Sequence, residues 1–354
     1  MTIDMLLARM TLEQKAGQVM AFGFDGVALT PELRAMIAEL HPGGVVLFAR
    51  NVQSPRQLAQ LNADLQHTAQ ANGEAGLIVS IDQEGGRIAR LRQATGFAEF
   101  PGAQTIGASS DPTGTARQTA HAMAAEMKAA GINMDLAPVL DVNNNPRNPV
   151  INDRSFGADS ALVAACGVAI IETLQAESIM AVGKHFPGHG DVTVDSHVAL
   201  PVMPHDRAWL DAMEFVPFKA AIAAGVAGIM SAHIWFPAIE PTPNLAATLS
   251  PKVMTDLLRD ELHFGGIRMT DSLEMGALQS SGYPVPVAAV AALKAGADLL
   301  LFNCGHAMNR QAHAAIVEAV RRGEIPASRL DEAVRRVLVA KERFGILNPS
   351  QHSI

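Results

Sequence analysis

The chain has 354 residues, and because 49% of them are hydrophobic it can build a sizeable core and is not mainly disordered. It holds 27 Lys and Arg residues against 35 Asp and Glu residues, which gives a net charge of −8. This balance argues against nucleic acid as a partner, since phosphate contacts need a basic protein surface. Two distant cysteines, Cys166 and Cys304, exclude a disulfide framework and a cysteine-based zinc site.

The first residues and the apolar stretches predict a soluble cytoplasmic protein with no membrane partner. Residues 1–18 lack the basic start and the long apolar run that are typical of a signal peptide. No apolar stretch reaches the roughly 20 uninterrupted residues that a membrane helix needs.

Short apolar runs that match buried parallel strands in length recur along the chain, and amphipathic segments rich in Ala lie between most of them. This alternation predicts a (β/α)8 barrel of the TIM type. A doubly wound fold is less well supported, because no strand is followed by a G-x-G-x-x-G turn. The predicted strands are 18–22, 44–48, 76–81, 132–137, 179–183, 228–232, 266–270 and 298–302.

Helix starts and stops can also be identified in the sequence. Ser54-Pro55 and Asp111-Pro112 each combine an N-cap residue with a proline suited to the first helical turn, and Gly131 is a predicted C-terminal stop. We expect the last helix to seal the barrel. The predicted helices include 54–71, 111–131, 160–178 and 328–345. We expect one domain over 1–354, with a short polar tail after about 346.

Polar and charged residues follow the predicted strands at their C-terminal ends, where a barrel of this type builds its active site. Five consecutive strand ends carry ionisable groups, which are costly to bury without a ligand or one another. The sequence therefore predicts a functional site at this end of the barrel. The residues are Asp82, Asp141, Lys184 with His185, His233 and Asp271, and Asn303 follows the last strand.

Simpler roles are open for several of these residues and their neighbours. We expect Asp141 to cap backbone amides of a loop and Asp191 to be structural. His233 fits a hydrogen-bonded wall as well as a reactive group. Glu84 and Glu274 are interpreted as solvated or wall residues.

The segment KHFPGHGDVTVDSH (184–197) is the most informative in the chain, and its proline and glycines predict an irregular loop. Asp195 and His197 stand two residues apart, and in an extended segment such residues project to the same side. A carboxylate beside an imidazole fixes the tautomer of the ring and favours its charged form. The pair predicts a proton shuttle, with an ordinary surface Asp–His pair as the alternative. An alternative role for His185 and His189 is to hold this loop together.

This segment closely resembles the signature of glycoside hydrolase family 3, and more narrowly that of its single-domain bacterial β-N-acetylglucosaminidases. The resemblance extends over almost the whole chain, because several further motifs occur in the same order. It implies a (β/α)8 barrel, the fold already predicted from the strand pattern. The further motifs are GGVVLFARN, IDQEGGRIARL, APVLDV, RSFG and MTDSLEMGA.

The resemblance also implies roles for individual residues. Asp271 corresponds to the catalytic nucleophile, His197 to the general acid/base and Asp195 to its partner. Many family members carry a second α/β sandwich domain, from which enzymes acting on glucosides often take the acid/base. The sequence leaves no residues for such a domain, which favours the hexosaminidase branch. The residues implied to hold the non-reducing-end sugar are Asp82, Arg90, Arg154, Lys184 and His185.

The activity implied is that of a retaining exo-β-N-acetylglucosaminidase that needs no metal or other cofactor. The implied substrate is a GlcNAc-bearing peptidoglycan fragment in cell-wall recycling, or a chito-oligosaccharide, and we expect a monomer. Within the family, a phosphorylase that uses phosphate as acceptor and a β-glucosidase-type exo-hydrolase remain alternatives.

Other classes of function are also open. A metal-dependent barrel hydrolase would use the histidines and Asp271, although the H-x-H motif usual in the first strand of such enzymes is missing. A Schiff-base lyase would use Lys184. A third alternative is a non-catalytic sugar-binding barrel, but the presence of Asp195, His197 and Asp271 together argues against it. The histidines of the metal alternative are His185, His189, His197 and His233.

Overall fold

Eight parallel strands close into a barrel in this computed structural model, which describes residues 2–71 and 75–347. Neighbours around the barrel follow the order β1-β10-β9-β8-β7-β6-β3-β2. This confirms the predicted (β/α)8 barrel, and each predicted strand overlaps an observed one. The strands are β1 Met20–Gly23, β2 Gly44–Leu47, β3 Ile78–Ile81, β4 Gln83–Gly85, β5 Ile88–Ala89, β6 Met134–Asp135, β7 Met180–Phe186, β8 Gly228–Ser231, β9 Ile267–Ser272 and β10 Leu299–Phe302.

Three strands depart from the simple pattern. Strand β6 has two residues instead of the predicted six, but backbone hydrogen bonds continue beyond it, since the Leu136 amide donates to the carbonyl oxygen of Ile81 and the Val182 amide to that of Ala137. Strands β4 and β5 form a separate antiparallel pair outside the barrel. The turn between them contains Gly85 and Gly86 at φ values of 86° and 56°, a left-handed conformation that glycine adopts without strain. The chain reverses there and returns Arg90 to the side of Asp82.

Helices surround the barrel, and the predicted boundary signals hold. The Asp111 side chain accepts a hydrogen bond from the Gly114 amide, Ser54 Oγ accepts one from the Gln57 amide, and Gly131 has a φ of 76°. No helix within the described residues is both long and apolar enough to cross a bilayer. The helices are α1 Ile3–Arg9, α2 Leu12–Gln18, α3 Pro31–Leu40, α4 Pro55–Ala71, α5 Ala103–Gly107, α6 Pro112–Ala129, α7 Ser160–Ala176, α8 Arg207–Ala212, α9 Phe215–Ala223, α10 Gly276–Ser280, α11 Val285–Ala295, α12 His306–Arg321 and α13 Ala327–Arg343, and Lys252–Glu261 is π-helical.

The inside of the barrel is a packed apolar core and not a channel. Side chains from the strands fill it, and Val337 and Ala340 of α13, together with Ile346, join this cluster at its base. The buried Lys341 Nζ lies 2.9 Å from Gln18 Oε1 at the same end. The terminal helix therefore seals the barrel as predicted. The polar tail expected after about 346 lies outside the described residues from 348 onward, and the single domain over 1–354 stays a prediction.

Candidate active site

A cavity of about 470 Å³ opens at the C-terminal end of the barrel, and its volume is in the range of small-molecule sites. Below, it is closed by Val46, Leu136, Met230 and Leu301, which belong to the apolar core of the barrel. All eight side chains predicted for the site line this cavity, although their roles stay predictions. They are Asp82, Arg90, Arg154, Lys184, His185, Asp195, His197 and Asp271.

Beside this apolar base, five charged side chains alternate in sign along the series Arg90–Asp82–Lys184–Glu84–Arg154, which we call the charged floor; all of them except Glu84 line the cavity. Lys184 Nζ lies 2.8 Å from Asp82 Oδ1 and 2.7 Å from Glu84 Oε1. Arg154 holds Glu84 through two hydrogen bonds of 2.9 and 2.8 Å, and Arg90 Nη2 lies 2.9 Å from Asp82 Oδ2. Each buried charge is therefore paired with at least one opposite charge, as burial requires.

The charged floor keeps its members ionised at neutral pH. Burial raises the pKa of Asp82, but Lys184 and Arg90 outweigh it and hold this pKa well below its usual range. Burial likewise raises the pKa of Glu84, and Lys184 and Arg154 bring it down to about 2. The pKa of Lys184 is raised, because its two acidic partners outweigh the effect of burial. The floor thus presents fixed charges to whatever enters the cavity.

Glu84 is a residue that the sequence analysis placed wrongly. It was interpreted as a solvated or wall residue, yet its side chain is only 5% exposed and is paired with Lys184 and Arg154. The sequence does contain a signal for this location, because Asp82 and Glu84 stand two residues apart at a strand end and so project to the same side. Phe48 was also missed. It lines the cavity with the Arg50 guanidinium 4.4 Å from its ring centre.

Asp271 lies near the end of β9, where its carboxylate lines the cavity. The amide of Ser272 donates to Asp271 Oδ1 at 2.7 Å. Burial raises the pKa of Asp271, but His185, His233, this amide and Lys184 together lower it below its ordinary value. The carboxylate is therefore ionised at neutral pH and available as a nucleophile.

Asp195 and His197 form a hydrogen-bonded pair at the mouth of the cavity. Asp195 Oδ1 accepts from the His197 amide at 2.8 Å and lies 2.7 Å from His197 Nδ1. The two side chains meet as predicted, but through a turn and not through an extended segment, because the amides of Val198 and Ala199 donate to the carbonyl oxygen of Asp195. The His197 side chain is 63% exposed, so its Nε2 is accessible from the cavity mouth. Burial raises the pKa of Asp195, and hydrogen bonds from His197 bring it below the ordinary value, which keeps this partner ionised.

Asp141 caps loop amides as expected and also binds an imidazole. Asp141 Oδ1 accepts from the amides of His185 and His189 at 3.1 and 2.8 Å, and its Oδ2 lies 2.7 Å from His185 Nδ1. His189 Nε2 lies 3.1 Å from Ser196 Oγ. His185 and His189 therefore tie the loop to the barrel, and His185 in addition lines the cavity.

His233 is a buried wall residue and not a free base. Its Nδ1 lies 2.7 Å from Thr248 Oγ1, and its Nε2 lies 3.0 Å from the carbonyl oxygen of Ser272. Asp191 is structural, as expected, because it pairs with His205 at 2.5 Å. Over residues 2–71 and 75–347, no group of three or more His, Cys, Asp or Glu side chains is arranged to hold a metal ion.

A barrel with a strand-end carboxylate above paired buried charges has the architecture of a glycosidase catalytic domain. The family described as "Glycosyl hydrolase family 3 N terminal domain" matches residues 11–340. This chain belongs to that family.

Named relatives and a solved structure agree with this assignment. The chain is 40% identical over 288 residues to "Beta-hexosaminidase A" of Pseudoalteromonas piscicida, and this match covers 77% of the chain and 48% of that protein. It is 37% identical over 281 residues to "Beta-hexosaminidase" of Nitrosomonas eutropha, covering 78% of each. The structure of this chain is similar to that of a glycoside hydrolase family 3 β-N-acetylglucosaminidase from Paenibacillus, with a TM-score of 0.92 and 44% sequence identity. The match covers 95% of this chain and 63% of the Paenibacillus chain. The match thus spans less than two thirds of the Pseudoalteromonas and Paenibacillus proteins.

Proposed function

We propose that the protein is a retaining exo-β-N-acetylglucosaminidase that removes GlcNAc from the non-reducing end of its substrate. The observation that carries this proposal is that Asp271 and the Asp195–His197 pair line one cavity above the charged floor. The relatives named β-hexosaminidase support a hexosamine as the sugar, and the Paenibacillus β-N-acetylglucosaminidase supports GlcNAc in particular. The closed apolar base of the cavity supports exo action, since a cavity that ends blindly accepts a chain end.

In the first step, the Asp271 carboxylate attacks the anomeric carbon, and the bond from that carbon to the glycosidic oxygen breaks. Protonated His197 donates its Nε2 proton to the departing oxygen, so the leaving group departs neutral. Asp195 holds His197 Nδ1 and stabilises the charged ring before the transfer. The product of this step is a glycosyl-enzyme on Asp271.

In the second step, neutral His197 accepts a proton from a water molecule, and the oxygen of that water attacks the anomeric carbon. The bond to Asp271 breaks, and His197 returns to its charged form. Two displacements at one carbon give net retention of configuration. The scheme uses no group outside this chain other than water.

The charged floor provides donors and acceptors for the hydroxyl and acetamido groups of the sugar. Lys184, Arg90 and Arg154 are donors, Asp82 accepts, and His185 faces the same cavity. Charge-assisted hydrogen bonds of this kind are stronger than neutral ones. We propose these five residues as the sugar-binding residues of the non-reducing-end subsite.

The physiological substrate that we propose is a GlcNAc-bearing peptidoglycan fragment, or a chito-oligosaccharide, handled by a monomer in the cytoplasm during cell-wall recycling. This part of the proposal is supported by the resemblance of the KHFPGHGD and DSH motifs to the bacterial hexosaminidase branch.

The direct test is hydrolysis of 4-nitrophenyl β-GlcNAc compared with 4-nitrophenyl β-glucoside, with Asp271→Asn as the inactive control. We expect turnover of the GlcNAc substrate, retained configuration in the first-formed product, and no loss of activity with a chelator. Preference for the glucoside would refute the sugar assignment. Sugar 1-phosphate formed in phosphate buffer would favour the phosphorylase, and inhibition by a chelator would favour the metal-dependent hydrolase.

A further inference from the structure

The loop that carries the acid/base pair, residues 187–198, contacts the segment that follows the nucleophile strand. The amide of Gly276 donates to the carbonyl oxygen of His197, and the amide of Ala277 donates to that of Ser196, both at 3.1 Å. These two donors lie in the first turn of α10, where amides have no partner within the helix. The segment 273–278, which we call the docking segment, therefore holds the loop through its backbone at the His197 position.

Gly276 permits this contact because it has no side chain. A Cβ at this position would lie 2.4 Å from the carbonyl oxygen of His197 and 2.7 Å from that of Val198. Both distances are too short for real contacts, and both atoms are backbone, so the loop itself would have to move. The φ of Gly276 lies outside the left-handed range, so its own backbone conformation suits any residue. The loop is the reason that this position needs glycine.

The two partners of this contact differ in how firmly they are held. Leu273, Ala277 and Leu278 of the docking segment are fully buried in the core. On the loop, His189 and Ser196 are buried, but Val194, His197 and Val198 around the contact are exposed. The buried segment is thus the fixed partner, and it begins two residues after Asp271. One continuous stretch of chain therefore carries the nucleophile and the surface against which the acid/base loop rests.

We infer that Gly276 is a positioning residue that sets the distance between His197 and the glycosidic oxygen by allowing the loop to dock. This inference rests on the proposed function, in which His197 is the acid/base. It adds that the position of His197 is set by the segment following Asp271 as well as by Asp195. A side chain at position 276 would displace the proton donor and leave the sugar-binding floor and the nucleophile in place.

The test compares Gly276→Ala with Gly305→Ala. Gly305 lies at the same end of the barrel, also at a helix start, but a Cβ there would meet nothing within 4 Å. Each variant is assayed on 2,4-dinitrophenyl β-GlcNAc, whose leaving group needs little protonation, and on chitobiose, whose leaving group needs a full proton transfer. For Gly276→Ala we expect a loss of roughly 100-fold in kcat/KM, which reports the glycosylation step, on chitobiose and under about 3-fold on the activated substrate, since small misplacements of a catalytic group have effects of this size. Gly305→Ala should match wild type on both.

A double variant separates positioning from general damage. In a His197→Ala background the substitution at Gly276 should add almost nothing, because the group that it displaces is already gone. Ala277→Pro offers a second route, since it removes one docking amide within a first helical turn, where proline is tolerated. This variant should likewise lose far more activity on chitobiose than on the activated substrate.

Equal losses on both substrates, including loss through failure to fold, would overturn the inference, and so would additive losses in the His197→Ala background. These outcomes are distinct from failure of the proposed function. If wild type hydrolyses neither substrate, the proposed function is wrong and the inference falls with it. If wild type is active and Gly276→Ala behaves like Gly305→Ala, the inference alone is wrong.

Discussion

The charged floor and the acid/base loop both place ionised groups at one cavity, but they hold them in opposite ways. On the floor, Lys184 is 2% exposed and lies between two carboxylates that are themselves paired with arginines. On the loop, His197 is 63% exposed, with Asp195 as its side-chain partner. Under the proposed mechanism, groups that keep their charge are buried in a network, whereas the group that changes its charge remains close to water.

The largest expected effect comes from Asp271, which belongs to neither region but lines the same cavity. Asp271→Asn should lower kcat/KM by several powers of ten, because it removes the covalent step while leaving the fold intact. The measurement is hydrolysis of 4-nitrophenyl β-GlcNAc, together with mass mapping of the peptide labelled by a 2-fluoro sugar in wild type. A near-wild-type rate, or a label on another carboxylate, would contradict the nucleophile assignment.

On the exposed side, the expected effect depends on the substrate. His197→Ala should lower the rate by roughly 10²- to 10⁴-fold on a substrate with a poor leaving group, which is the usual contribution of general acid catalysis. The loss in glycosylation should be much smaller with a good leaving group. Asp195→Ala combined with His197→Ala should cost little more than His197→Ala alone, because the two residues act as one unit. Equal damage with good and poor leaving groups would indicate that His197 only shapes the loop.

The two regions should differ most clearly in their contribution to stability. Lys184→Met leaves Asp82 and Glu84 buried without the cation between them, and breaking a buried ion pair typically costs about 3–5 kcal/mol. Asp195→Asn removes a charge from an exposed pair, for which about 1 kcal/mol or less is usual. Urea unfolding of both variants measures the difference. Similar decreases in the free energy of unfolding for the two variants would show that the floor and the loop do not differ in their contribution to stability.

Much of the fold and of the site could be predicted from the sequence, because the signals are local. The apolar runs locate the strands, the residues after them mark the site, and the spacing of Asp195 and His197 predicts their hydrogen bond. The pairing of Glu84 with Arg154 and the contact of Gly276 with the loop join residues far apart in the chain. These contacts depend on which strand ends and loops become neighbours in the barrel, and no local pattern specifies them.

The smallest predicted effect concerns His189 of the loop, whose backbone amide donates to the Asp141 carboxylate and whose ring lies 3.1 Å from the Ser196 hydroxyl. Burial, assisted by His185, lowers the pKa of His189 to about 4. In an unfolded chain the same ring has its ordinary pKa of 6.5, so between pH 6.5 and 4 the unfolded state binds more protons. Stability should therefore fall as the pH drops through this window, by about 2 kcal/mol at pH 5 from this residue.

The control for this prediction is a pair of variants. In His189→Gln the titration is absent, so the stability difference between wild type and variant should shrink by about 2 kcal/mol from pH 7 to pH 5. Buried carboxyls with raised pKa values, such as that of Glu214, shift stability in the opposite direction, but they are common to both proteins and cancel in the difference. His67→Gln, at an exposed position on α4, should leave the pH profile of wild type unchanged. A difference independent of pH would show that folding does not lower the pKa of His189, and this prediction would then be wrong.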